Sequence, residues 1–183
     1  MRAACLGPEG SFTHRAALTL ADGAELILLE SIEAVLAALE AGDVEMAVAA
    51  IDSAAGPVAP VQAFVEQGRA QITGRLALAV SFNLYRSPGD DAPLAGVFGH
   101  EKALAQIAGF LSQHTLHGEA MASNTGGLAR LRDDPRPGWG AAGPPGLESV
   151  YRLVVTHTQL EGPHANETHF VRLRRPGAGT ARN

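Results

Sequence analysis

Four short polar clusters carry side chains and backbone groups able to grip or turn over a small acid. They are Gly7-Pro8-Glu9-Gly10-Ser11-Phe12-Thr13, Asp52-Ser53, Gly99-His100-Glu101-Lys102 and Ser123-Asn124-Thr125. Three of the four follow a short apolar run, and three lead into a helical pattern. Backbone N–H groups at such a turn favour carboxylates or phosphates, and His100 and Lys102 add cationic or donor groups beside them. The same turns also serve simply to start helices, and the residues alone leave both readings open. Metal chemistry is not expected. The histidines, among them His14, His157 and His169, show no ligand spacing beyond an isolated His114-x-x-His117 pair.

The elements that must position these clusters are legible from periodicity. A strand over Ala3 to Leu6 is followed by a helix from Ser11 to Leu20, then a strand from Glu25 to Leu29. Ser31 caps a helix carrying Ile32, Val35, Leu36 and Leu39 on one face, which Gly42 stops; Met46 to Ile51 is the next strand. A loop rich in Ala, Gly and Pro comes after it. A long β-like run spans Arg75 to Leu84, and Pro88-Gly89-Asp90-Asp91 breaks it. Val97-Phe98 is a short strand leading to a helix from Ala103 to Gln113, and Ser123 caps another through Leu128 and Leu131. The proline- and glycine-rich stretch from Asp133 to Gly146 reads as a mobile insertion. Tyr151 to Thr158 and Thr168 to Leu173 close the pattern as strands. This alternation of strand and helix argues for an α/β fold with parallel pairs, whose ligand crevice lies beyond the carboxyl ends of the strands.

Composition narrows the function classes. A chain of 183 residues with 46% hydrophobic content fills a real core, and a net charge of −5 without a basic stripe speaks against nucleic acid or anionic membrane as a partner. No apolar run approaches a membrane span, and no signal peptide is expected. The single cysteine, Cys5, excludes an intramolecular disulfide and a cysteine-based zinc site, which suits a cytoplasmic setting.

The order of these pieces resembles the catalytic domain of prephenate dehydratases from about Arg2 to Leu173. Leu6-Gly7-Pro8-Glu9-Gly10-Ser11-Phe12-Thr13 is similar to the family's LGPxGTFT opening, and His100 to Gln106 to its SHPQALxQC segment. Asn166-Glu167-Thr168-His169-Phe170 resembles its closing N-x-T-R-F motif, at the expected interval from Tyr151-Arg152-Leu153, which stands where the family has YGL. Ser31-Ile32-Glu33-Ala34-Val35 adds a weaker echo. The resemblance implies two lobes like those of type II periplasmic-binding proteins, with mixed or parallel sheets, flanking helices and an active-site cleft between the lobes. Residues 1–74 with 159–176 would form the first lobe, 75–158 the second, and 177–183 a disordered tail.

The implied reaction removes water and carbon dioxide from prephenate to give phenylpyruvate, without cofactor. Thr168 would donate to the departing hydroxide, Gln106 would bind substrate oxygen, and Asp52 would replace the family's acid. Gly10, Ser11, Phe12, Thr13, Ser53, His100, Lys102, Ser123, Asn124, Thr125, His169 and Phe170 would surround the dicarboxylic substrate. A homodimer is also implied. Departures mark the match: His169 replaces an arginine, Ile51-Asp52-Ser53 lacks the family's Asn, and Phe82 stands where many members carry histidine. Gly162 falls at the acid of the I-Q-D segment. The family's phenylalanine-sensing ACT domain is not part of this sequence, so feedback through it is not expected. Two rival outcomes are decarboxylation of prephenate without aromatisation, and a binding protein that has lost the chemistry.

Overall fold

Short apolar runs separated by capped helices fold into two units, Met1–Ala79 with Asn166–Asn183 and Val80–Ala165. The computed structural model describes residues 1–53, 56–162 and 166–177. In chain order the elements are β1 (Arg2–Leu6), α1 (Phe12–Leu20), β2 (Glu25–Leu29), α2 (Ile32–Ala41), β3 (Met46–Ser53), β4 (Gly56–Pro57), α3 (Ala59–Glu66) and β5 (Gln71–Val80). They continue with β6 (Asn83–Arg86), β7 (Gly96–His100), α4 (Glu101–Gln106), α5 (Ala108–Gln113), β8 (His117–Met121) and α6 (Asn124–Asp133). The chain closes with β9 (Trp139–Gly143), α7 (Glu148–Tyr151), β10 (Val154–His157) and β11 (Asn166–Arg174).

In the first unit the strands run in the order β2-β1-β3-β11-β5, with β4 paired to β3. β1 is parallel to β2 and β3, while β11 is antiparallel to β3. Alternation along the strands sends Ala4, Ala47, Ala49, Val171 and Leu173 toward Val35 and Leu39 of α2 and Val61 and Phe64 of α3. It sends Ala3, Cys5, Met46, Val48 and Phe170 toward Ala16 and Ala17 of α1. Local chemistry fixes the helix ends. Ser11 and Ser31 accept from His14 N and Ala34 N at 3.2 and 3.0 Å, and Gly42 ends α2 at φ 88°. Arg172 donates to Thr73 Oγ1 and O at 3.0 and 2.8 Å and to Leu20 O at 2.9 Å, tying β11 to β5 and to the end of α1.

The second unit has the order β10-β6-β9-β7-β8, with β7 parallel to β8 and β9 and β6 antiparallel to β9 and β10. Tyr85, Phe98, Leu128, Leu131, Trp139 and Ala141 form its core.

Several expectations are corrected. The Arg75 to Leu84 run is two strands in two sheets: the alternation of exposed and half-buried positions up to Ala79 gives way at Phe82 to four consecutive buried residues. The division between the units accordingly falls after Ala79 rather than at 74/75. The expected mobile insertion holds β9, buried throughout. Its small residues are required there, since a Cβ on Gly140 would lie 2.7 Å from Leu84 Cδ1 and 2.9 Å from Tyr85 O. The helix expected over Ala103 to Gln113 is broken at the buried Ile107, and residues 148–151 are helical rather than the start of a strand. Helix α3, with Pro60 in its first turn, replaces part of the expected loop, and β8 was without a sequence expectation. Most of the expected tail, 178–183, lies outside the described residues.

Candidate active site

At one edge of the first sheet, the carboxyl ends of β1 and β3 meet the start of β11. The loop after β1 turns through Gly10, at φ 80°, into the Ser11 cap. His14 closes this loop: its Nδ1 accepts from Gly10 N at 3.1 Å while its own N–H is held by Ser11 Oγ. The ring therefore presents Nδ1 to the loop as an acceptor. This uses the Gly10 amide that the sequence assigned to a ligand. His14 was missed as a site residue; its spacing of four after a loop glycine and three after a capping serine was the available signal. Phe12 packs against the α1-side core with Phe170, so both are walls rather than donors, and Thr13 lies half-buried in the first turn of α1.

The pairing of β3 with β11 sorts the remaining candidates by face. Thr168 lies opposite Ser53 and His169 opposite Asp52, with a register shift at Ile51 between Asp52 and Ala50. Directly opposed residues share a face and successive residues alternate. Thr168 and Ser53 are thus on the side of Phe170 and α1, while Asp52 and His169 are on the other. The bulged extra residue at Ile51 sets Asp52 on the face opposite to Thr168. Asp52 and His169 line a cavity of about 420 Å³ with Gln62 and Arg75, which Phe170 also borders. Asp52 Oδ1 accepts from Ser53 N at 2.9 Å, and Ser53 Oγ donates to Gly56 O at 3.2 Å. The half-buried Thr168 hydroxyl has no hydrogen-bond partner among the described residues.

In the second unit, β7 and β8 deliver their clusters to one edge in the same way. His100 caps α4, its Nδ1 accepting from Lys102 N at 3.2 Å. Asn124 Oδ1 accepts from His100 N at 2.9 Å, which locks the two loops together and leaves the Asn124 Nδ2 hydrogens unpartnered among the described residues. Ser123 Oγ accepts from Gly126 N at 2.9 Å and lies 3.3 Å from the buried Thr125 Oγ1. These two hydroxyls serve the helix start before any ligand. Lys102 is exposed and Gln106 half-buried at the end of α4. Phe82 is buried, its N–H donating to Glu161 Oε2 at 2.9 Å. Among the described residues no three His, Cys, Asp or Glu side chains converge as a metal site, and no helix is long and apolar enough to cross a membrane.

The loop after β1 and the start of β11 carry the opening and closing motifs. The family model described as prephenate dehydratase matches residues 3–178. The chain belongs to the prephenate dehydratase family. A prephenate dehydratase of Mycolicibacterium vanbaalenii is 32% identical over 95% of this chain and 62% of its own length. The chain thus spans about three fifths of that prephenate dehydratase. Among solved structures, the prephenate dehydratase of Arthrobacter aurescens superposes with a TM-score of 0.83 at 24% identity, covering all of this chain and 63% of that one. A protein described as a novel type of quorum quenching acylase superposes with a TM-score of 0.79 at 21% identity, covering 96% of this chain and 64% of that one. These likenesses establish the α/β fold, and the second shows that the prephenate dehydratase fold is shared with a protein described by another activity.

Proposed function

We propose that this chain converts prephenate, or a close cyclohexadienyl analogue, to phenylpyruvate with loss of water and carbon dioxide. The observation that carries the reading is the Thr168 hydroxyl, half-buried and without a partner among the described residues at the carboxyl edge of the first sheet. Aromatisation drives the reaction, so the protein has two tasks: to hold two carboxylates and to supply a hydrogen bond as hydroxide departs. A threonine hydroxyl is a poor acid in water and acts as a placed donor in a site from which water is excluded. Thr168 takes the second task. Ser11 and Thr13 supply further hydroxyls on the same unit. Asp52 and His169, facing the other side of the sheet, are left out of the chemistry. The reading carries with it a homodimer and a cytoplasmic setting, to be tested by sizing in solution and by fractionation.

The deciding experiment incubates the purified protein with prephenate at neutral pH, following phenylpyruvate by its alkaline absorbance and all products by mass. Phenylpyruvate formation supports the reading. A non-aromatic keto acid that has lost only carbon dioxide, or no turnover, overturns it in favour of decarboxylation or simple binding.

A further inference from the structure

The second unit contains a cavity that none of the clusters above uses. It has a volume of about 730 Å³ and is lined by Ser87, Pro88, Arg132, Pro135, Val150 and Arg152, with Asp133 and Leu153. Arg132 and Asp133 lie where α6 ends, and Ser123 caps its start. Ten helical residues at 1.5 Å each put about 15 Å between this cavity and the Ser123 cluster.

Three features of its wall bear on what it could hold. Arg152 ends α7 as a left-handed cap at φ 54° and ψ 42°, its N–H bonded to Glu148 O, at the position where the family resemblance has glycine. Its guanidinium has no hydrogen bond or ion pair among the described residues. Arg132, by contrast, is neutralised by Asp133, with bonds of 2.7 and 3.0 Å, so Arg152 is the uncompensated charge on the wall. The Ser87 hydroxyl is buried without a partner among the described residues. Finally, Val150 is 60% exposed, an apolar lip continued by Pro88 and Pro135.

A free cation in a conformation glycine would hold without strain, a donor lacking an acceptor, and an apolar lip are complementary to one kind of ligand. We propose that this cavity is a binding site for a small organic anion, a carboxylate or phosphate monoester on an apolar body. The anionic group pairs with Arg152, with the Ser87 hydroxyl turned toward it, and the apolar body rests on Val150 and the two prolines. The inference is independent of the dehydratase reading, because it shares no residue with the Thr168 edge.

Titration calorimetry of the full chain with benzoate, phenyl phosphate, inorganic phosphate and neutral benzyl alcohol tests it. The expected result is saturable binding of benzoate or phenyl phosphate, weakened about tenfold or more in Arg152→Gly and also weakened in Ser87→Ala. Whichever of the two aromatic anions binds more tightly identifies the anionic group. Arg152→Gly removes the charge and relieves the backbone, so its melting temperature holds or rises while affinity falls, which separates loss of a ligand contact from loss of folding. Binding by neither aromatic anion, equal binding of benzyl alcohol, or unchanged affinity in Arg152→Gly would overturn the proposal. So would loss of binding in Thr168→Val, which would put the anion at the first unit's edge.

Discussion

Replacing Thr168 by valine isolates the hydroxyl. Valine has the same shape and suits a strand at least as well, so the pairing opposite Ser53 survives. The native hydroxyl has no partner among the described residues, and its removal therefore breaks no protein hydrogen bond. The melting temperature should move by less than about 2 °C, equivalent to under roughly 0.5 kcal/mol in a domain of this size. Catalysis should respond differently. A donor placed where charge develops in the transition state is worth about 3 to 4 kcal/mol, or a loss of about 10² to 10³ in kcat. Because the departing hydroxide exists only in that transition state, KM should hardly change. Thr168→Ser keeps the donor and should recover activity to within about tenfold of the parent. The assay is initial-rate formation of phenylpyruvate, with thermal unfolding of each variant alongside. A valine variant with kcat within about threefold of the parent, and an unchanged melting temperature, would refute the assignment. A large fall for His169→Asn would refute the sorting of the two residues onto opposite faces.

Three further predictions concern the scaffold. Tyr85, fully buried, donates to Pro144 O at 2.5 Å and accepts from Leu147 N at 3.3 Å; Tyr85→Phe strands two buried backbone groups and should cost about 2 kcal/mol by urea unfolding. Gly140→Ala places a methyl 2.7 Å from Leu84 Cδ1 and should destabilise by about 1 to 3 kcal/mol in the same assay, whereas a residue in a mobile insertion would show no change. Burial pushes the Cys5 thiol up to about 11, so it should resist alkylation by iodoacetamide at pH 8 until the chain is unfolded. Because the folded thiol holds its proton above the pH at which the unfolded one releases it, stability is intact below about pH 9 and declines as pH rises toward 11.

What the sequence discloses here divides along local and non-local lines. Ser11, Ser31 and Ser123 as helix caps, Gly42 as a stop, and the polar clusters at strand ends are set by a few neighbouring residues, and periodicity and cap chemistry suffice to find them. The strand over Trp139–Gly143 is hidden because Gly-Ala-Ala-Gly has little intrinsic preference for a strand; it is selected by Leu84, Leu128 and Tyr85 crowding from distant parts of the chain. The register shift at Ile51 is equally invisible, since it exists only in the pairing of β3 with residues that come more than a hundred positions later. That is why Thr168 could be singled out by motif while its separation from Asp52 and His169 could not.

The strand that carries Thr168 lies between β3 and β5 although every other described element precedes it in the chain. Synthesis therefore delivers β1 through β5 and the whole second unit before the first sheet can close. Until then β3 and β5 present open edges, the features that recruit chaperones or partner strands. The proposed donor arrives with the strand that seals those edges. A nascent chain that lacks this strand also lacks the proposed donor, so closure of the sheet and arrival of that hydroxyl are one event.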